Sequence, residues 1–241
     1  MDHALYDKRN YPVVDVREGY GQWVGTYEQT VQDEMDLRLL ERLVTVEWTS
    51  ATAVLDLACG TGRIGSWLKD RCASAAIDGV DLTPQMLDLA RIRGVYRTLH
   101  VADVARTPFA ADGYDLCTQS LADEHLPDVA PLYHEAARLT RRDGRFVIVG
   151  FHPQFLMAGM PTHFDRSPGD AITIRSYVHL FSDHVKAAHA AGWHLTEMEE
   201  ASSTTPGSRK SRSGRLTSAS PSASRWSGRR ANPRVSDGLG G

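Results

Sequence analysis

The stretch Val54-Leu55-Asp56-Leu57-Ala58-Cys59-Gly60-Thr61-Gly62 decides the reading of this 241-residue chain. It is a short apolar run that ends in two closely spaced glycines. Ala53–Leu57 reads as a buried strand, and the residues from Arg63 to Ala73 read as a helix. Glycines let backbone approach a ligand closely, and a helix N-terminus presents free N–H groups. A strand, a Gly turn and a helix in this order make a candidate binding loop.

Working outward, the same alternation repeats. Ala76–Leu82 reads as a second strand that ends in Asp81. Thr83 is placed to cap the next helix, with Pro84 in its first turn and Gly94 at its end. Tyr96–Ala102, Tyr114–Ser120 and Arg145–Phe151 read as further strands, and Pro127–Arg142 as a helix. A helix over Asp183–Ala191, stopped by Gly192, precedes a sixth strand, Trp193–Met198. Parallel strands need such helical crossovers, so the fold expected is α/β, a doubly wound and mostly parallel sheet. Ligands bind such sheets at the carboxyl ends of the strands.

Three acids stand at three successive strand ends: Asp56, Asp81 and Asp103. Asp56 precedes the glycines and can hold an ammonium. A carboxylate at Asp81 can accept from a ribose diol, and one at Asp103 from an adenine amino group. Together they suit an amino acid, a ribose and a base.

Asp56-Leu57-Ala58-Cys59-Gly60-Thr61-Gly62 resembles motif I of the class I S-adenosylmethionine-dependent methyltransferases. Val80-Asp81-Leu82-Thr83-Pro84-Gln85-Met86-Leu87 resembles the next motif and Val101-Ala102-Asp103-Val104 the third. Tyr114-Asp115-Leu116 and Gly144-Arg145-Phe146 resemble the fourth and fifth strand signatures. The likeness covers roughly residues 20–200 and is closest to the small-molecule enzymes of the ubiquinone-biosynthesis type. Ala58 departs from it, because the family often has Gly there. The resemblance implies a Rossmann-like sheet and a donor, S-adenosyl-L-methionine, that leaves as S-adenosyl-L-homocysteine. It implies donor contacts from Tyr20, Trp23, Tyr27, Asp56, Ala58, Cys59, Gly60, Thr61, Gly62, Asp81, Leu82, Met86, Ala102, Asp103, Val104 and Ser120. It also implies no obligatory metal, and a monomer or homodimer in the cytoplasm. Gly60-Thr61-Gly62-Arg63-Ile64-Gly65 satisfies the dinucleotide pattern as well, with Asp81 near the expected ribose spacing. Asp56, Asp103 and the lack of a Tyr-x-x-x-Lys pair favour the methyl donor over an NAD(P)-dependent oxidoreductase.

Methyl transfer from a sulfonium needs a base only when the nucleophile must lose a proton. Histidines titrate near neutrality, and three stand near strand ends or in the insertion. His125 lies in the loop after Ser120, His152 directly after Phe151, and His163 in an insertion over 152–178. The insertion carries Phe155, Met157, Met160 and Phe164, and a strand over Ile172–Tyr177, so it reads as a lid. Residues 1–50 read as an aromatic N-terminal segment followed by an amphipathic helix over 28–46, capping a methyltransferase domain over 51–200.

Charge divides the chain. Residues 1–200 hold 19 basic and 29 acidic residues, whereas 201–241 hold 8 and 1. An acidic body disfavours wrapping a nucleic-acid backbone, where phosphate neutralisation supplies much of the affinity. A small-molecule acceptor is therefore expected, with no nucleic-acid partner. An RNA or protein methyltransferase using the basic tail, and a catalytically impaired donor-binding protein, are the competing readings. There is no apolar run near 18 residues to span a membrane and no secretory h-region. Three widely spaced cysteines, Cys59, Cys72 and Cys117, suit a reducing compartment. The tail over 201–241 holds 11 Ser, 7 Arg and 6 Gly, without apolar periodicity. It is expected to be disordered and read out of frame. The family usually ends its sheet with a strand antiparallel to the sixth, and nothing after Glu200 offers one, so a normal last strand is expected to be missing.

Overall fold

The computed structural model describes residues 1–31 and 34–201, and the backbone of residues 223–230. At the N-terminus, strand β1 (Val13–Val14) leads into helices α1 (Val16–Thr30) and α2 (Met35–Glu41). The expected helix over 28–46 is thus corrected to α2, and of the aromatic segment before it Tyr20, Trp23 and Tyr27 lie on α1. The glycines of α1, Gly19, Gly21 and Gly25, weaken the helical signal in sequence.

Strand β2 (Ala53–Leu57), helix α3 (Arg63–Arg71), strand β3 (Ala76–Asp81), helix α4 (Pro84–Arg93) and strand β4 (Thr98–Val101) then alternate as the apolar runs require. Strand β5 (Tyr114–Ser120), helix α5 (Ala130–Leu139) and strand β6 (Thr140–Phe151) continue the pattern. Neighbouring residues of one strand serve opposite layers. Leu55, Leu57, Cys117, Phe146 and Ile148 pack in the cluster with Leu132, Tyr133 and Leu139 of α5. Val54, Ile77, Leu116, Val147 and Val149 pack with Leu39 and Leu40 of α2 and Trp67 and Leu68 of α3. Burial on both faces explains why the strands read as continuous apolar runs.

The insertion after β6 folds as helix α6 (Pro153–Met157) and a hairpin of β7 (His163–Asp165) and β8 (Ala171–Ile174). Strand β1 joins β8 in parallel, giving a three-stranded sheet of order β1-β8-β7. Trp23 of α1 packs with Phe164, Ile172 and Ile174 of the hairpin. Each such buried side chain contributes about 1.5–3 kcal/mol. A Cβ on Gly19 would come within 2.7 Å of Ile174, so the bare glycine is what lets the hairpin close on α1.

Helix α7 (Phe181–Ala190) and strand β9 (Trp193–Ala201) follow, and residues 223–230 form strand β10 (Ala223–Arg230). The main sheet has the order β4-β3-β2-β5-β6-β10-β9. Strands β4 to β6 are parallel, and β10 runs antiparallel to both β6 and β9. The expectation of a missing last strand is therefore corrected: the tail supplies it, against two otherwise open strand edges. The tail's expected disorder and out-of-frame origin otherwise concern residues 202–222 and 231–241, which lie outside the described residues. The antiparallel strand also sets this sheet apart from the dinucleotide order 3-2-1-4-5-6, in which the sixth strand simply continues the parallel sheet.

Candidate functional site

A cleft opens where β2, β3 and β5 end. The turn after β2 is held by its own backbone: the Cys59 amide donates to the Val80 carbonyl at 3.0 Å, and the Gly62 amide to the Cys59 carbonyl at 2.8 Å. Gly60 sits at φ 54°, with open space where a Cβ would be. Backbone can be approached closely there, as a ligand cradle requires. Gly62 caps α3 at φ 83°, and a Cβ on it would meet Tyr96 at 2.9 Å. Ala58 adopts φ 55°, a conformation that suits glycine better than alanine.

Asp81 is the pivot of the cleft. One carboxylate oxygen accepts from the Gly60 amide at 2.9 Å and the other from the Thr83 amide at 2.8 Å. Burial pushes its carboxyl up from the ordinary range, opposed by these amides. The Leu82 amide and the Thr83 hydroxyl also bond it, so the carboxylate is fixed in place at the cavity wall. Thr83 begins α4 as expected, but its side chain makes no capping bond; Asp81 binds its amide instead.

The structure brings Tyr20, Tyr27, Ala58, Cys59, Gly60, Thr61, Asp81, Met86 and Ser120 around one cavity. Arg63, Ile64, Leu121 and Ala122 complete its walls and were not singled out from the sequence. Met86, Ile64 and Leu121 supply apolar surface beside the polar turn. Tyr20, Trp23 and Tyr27 fall at i, i+3 and i+7, so α1 presents them on one side. Trp23 does not reach the cavity walls; its ring stacks on Phe164 at 5.4 Å between centroids.

Other expected donor contacts lie back from the cavity. Asp56 is buried beneath the turn, where the Tyr96 hydroxyl donates to it at 2.7 Å and the Thr118 hydroxyl at 3.2 Å. Burial pushes its carboxyl up to about 7, with these hydroxyls opposing. Its contribution is to hold the turn from below. Tyr96 fills the space left by glycines: a Cβ on Gly65 would stand 2.1 Å from its hydroxyl oxygen, and one on Gly79 2.9 Å from its ring. Asp103 is exposed and accepts from the Ala105 amide at 2.8 Å. Leu82 is exposed, and Ala102 and Val104 pack toward the core cluster.

All three candidate histidines have both ring nitrogens engaged. His125 is buried; its Nδ1 lies 2.8 Å from the Arg175 carbonyl and its Nε2 2.9 Å from the Tyr20 hydroxyl. A carbonyl only accepts, so Nδ1 carries the proton and the Tyr20 hydroxyl donates to Nε2. Burial pushes His125 down to about 4, so it is neutral at pH 7. The group presented to the cavity is therefore Tyr20, with His125 behind it. His152 caps α6, accepting from the Gln154 amide at Nδ1 while Nε2 meets Glu200 at 2.8 Å. His163 donates from Nδ1 to the Pro161 carbonyl and accepts at Nε2 from Arg9. Neither His152 nor His163 lines the cavity.

Glu124, absent from the sequence reading, belongs to the same turn as His125. Its backbone carbonyl accepts from the Tyr177 amide at 2.6 Å and its side chain from the Thr162 hydroxyl at 3.3 Å. Burial, aided by the Asp123 charge, pushes its carboxyl up. Among the described residues no cluster of His, Cys, Asp and Glu could hold a metal ion. No helix among them is long and apolar enough to cross a membrane.

Comparison with known proteins agrees with this geometry. Residues 55–148 match a family described as a methyltransferase domain. A demethylmenaquinone methyltransferase of Thermus thermophilus is 33% identical over 123 residues, covering 49% of this chain and 56% of that protein. A malonyl-[acyl-carrier protein] O-methyltransferase of Halorhodospira halophila is 31% identical over 173 residues, covering 70% of this chain and 56% of that protein. The matched region thus spans just over half the length of these relatives. Among solved structures, an S-adenosylmethionine-dependent methyltransferase of Mesorhizobium loti superposes with a TM-score of 0.63 at 21% identity, covering 83% of this chain and 99% of that one. That likeness carries the fold.

Proposed function

We propose that the chain is a class I S-adenosylmethionine-dependent methyltransferase that transfers the methyl group of S-adenosylmethionine to a small-molecule acceptor. The observation that carries this is Asp81: a buried carboxylate at a strand end, anchored to the Gly60 amide and lining the cavity, where a fixed acceptor suits a ribose diol. The open space over Gly60 and the apolar walls of Met86 and Ile64 fit the same donor. When bound, the donor would supply a methyl group activated by its sulfonium, for in-line transfer to an acceptor lone pair with the sulfur leaving as a neutral thioether.

The protein's work is then alignment and exclusion of water. Asp81 and the Gly60 turn hold the nucleoside end. Tyr20 and Tyr27 cover the cavity from α1, and the β7–β8 hairpin holds α1 in place through Trp23 and Phe164. Their rings also suit a cation, at about 0.5–2 kcal/mol. His125 keeps the Tyr20 hydroxyl donating toward itself, so the phenol oxygen turns its lone pairs to the cavity.

The relatives named as a demethylmenaquinone methyltransferase and a malonyl-[acyl-carrier protein] O-methyltransferase support a small-molecule acceptor. The acidic body supports the absence of a nucleic-acid partner. Three buried, unpaired cysteines support a cytoplasmic setting, where the enzyme would act as a monomer or homodimer.

Calorimetric titration with S-adenosylhomocysteine, run beside NADH, tests the reading. The homocysteine is expected to bind and NADH not; the reverse pattern would refute the assignment. Asp81→Ala is expected to weaken binding by about 1–3 kcal/mol through lost charged hydrogen bonds.

A further inference from the structure

Arg63 is the cation among the described residues that line the cleft. It is the first residue of α3, directly after the Gly60–Gly62 turn. A positive charge is unfavourable there, because the helix dipole already places partial positive charge at its N-terminus. The fold nevertheless holds the side chain in place. Nη1 and Nη2 donate to the two oxygens of Asp36 at 2.8 and 2.5 Å, a bidentate pair. Asp36 is 1% exposed, while the Arg63 side chain keeps 24% of its surface open.

The remaining bonds decide what Arg63 is free to do. Asp36 also accepts from the Leu37 amide and from the Ser120 hydroxyl, both at 2.9 Å. With two partners on each oxygen, Asp36 has no capacity left for a ligand ammonium. A guanidinium has five N–H donors, and Asp36 takes two. The rest belong to a cation on the cavity wall beside a helix N-terminus, where an anion is favoured twice over.

We propose that Arg63 receives the carboxylate of the donor's amino-acid end, with Asp36 and Ser120 as positioning residues that fix its fork. This rests on the methyl-donor reading and deepens it. It assigns the two ends of the donor to different residues: the nucleoside to Asp81, the carboxylate to Arg63.

The test compares S-adenosylhomocysteine with 5′-methylthioadenosine, which has the same nucleoside thioether but no amino acid. Arg63→Met is expected to weaken the homocysteine about 10- to 100-fold and leave 5′-methylthioadenosine within about 3-fold. Asp36→Asn, which loosens the fork and keeps the cation, is expected to show a smaller loss with the same selectivity. Equal losses for both ligands, or no loss for either, would overturn the proposal. Should Arg63→Met fail to fold by thermal melting, Arg63→Lys replaces it. A point charge without the fork is expected to give an intermediate homocysteine loss, and an unchanged ratio of the two affinities would overturn the proposal. A native protein that binds neither ligand would instead refute the donor reading itself.

Discussion

Two turns face each other across the cleft, and they are built by different means. Each holds a non-glycine residue at positive φ, Ala58 at 55° after β2 and Leu121 at 51° after β5. Such backbone costs about 1–3 kcal/mol and persists only where the surroundings over-determine it. The turn after β2 is determined mainly by near neighbours. Its amides bond to Asp81 and Val80, the Arg93 side chain binds the Thr61 carbonyl at 2.6 Å, and Tyr96 supports Asp56 from below. The turn after β5 is determined mainly by distant chain. Tyr20 holds His125 from 105 residues away, Arg175 from 50, and Thr162 holds Glu124 from 38. Local chemistry makes the first turn readable in sequence; the second exists only once α1 and the insertion after β6 have packed against it.

Removing residues 202–241 should strain this contrast most. It deletes β10 and leaves β6 and β9 with unpaired edges. Strand β6 also accepts the Leu121 amide at its Val149 carbonyl, 2.7 Å away. The melting temperature is expected to fall on the order of 10 °C, a loss of several kcal/mol, or the protein to aggregate. By hydrogen exchange, residues 120–126 should lose protection before 58–62. The opposite order would break the comparison.

The two turns should also answer pH with opposite sign. Asp56 titrates near 7 in the fold against an ordinary 3.8. The folded state then holds a proton the unfolded chain has lost, so this contribution to stability is lost as pH rises from about 4 to 7. His125 titrates near 4 against an ordinary 6.5. Its contribution is present above 6.5 and lost as pH falls toward 4. Over the full shift each effect is on the order of 3–4 kcal/mol. Urea unfolding of Asp56→Asn and His125→Asn between pH 4.5 and 7 reads it. Relative to the native protein, the first should gain as pH rises and the second should gain as pH falls. Parallel curves for all three would remove the distinction.

The smallest effect concerns the strand-end acids themselves. Asp81 is buried and bonded on both oxygens, whereas Asp103 is exposed and engaged with its own turn. Asp103→Asn is expected to change S-adenosylhomocysteine affinity only a few-fold, since a solvated hydrogen bond nets about 0.5–1.5 kcal/mol. A loss as large as that of Asp81→Ala would show that the donor reaches Asp103 in a drier setting.

The parallel strands and their order in the chain were legible because both sheet faces are buried, which leaves apolar runs such as Val54–Leu57 in plain view. The Gly turn and Asp81 were legible because positive φ and close approach restrict residue type. Helix α1 was not, since its glycines lower helical propensity and its order comes from packing on Phe164 and Ile174. Strand β10 was not, since Ala223–Arg230 is mostly Ser, Arg and Gly, with Trp226 its one large apolar residue. Its place is set by the open edges of β6 and β9.

By itself, then, the sequence determined the α/β alternation and the turn at Gly60–Gly62 with Asp81 beside it, because those features rest on backbone conformation and on neighbours within about one βαβ unit. Tertiary structure alone decided that His125 stands behind Tyr20, that Asp56 braces the turn from beneath, and that Arg63 is pinned by Asp36. Those facts depend on which side chains meet after long loops close, and no local pattern of residues encodes that meeting.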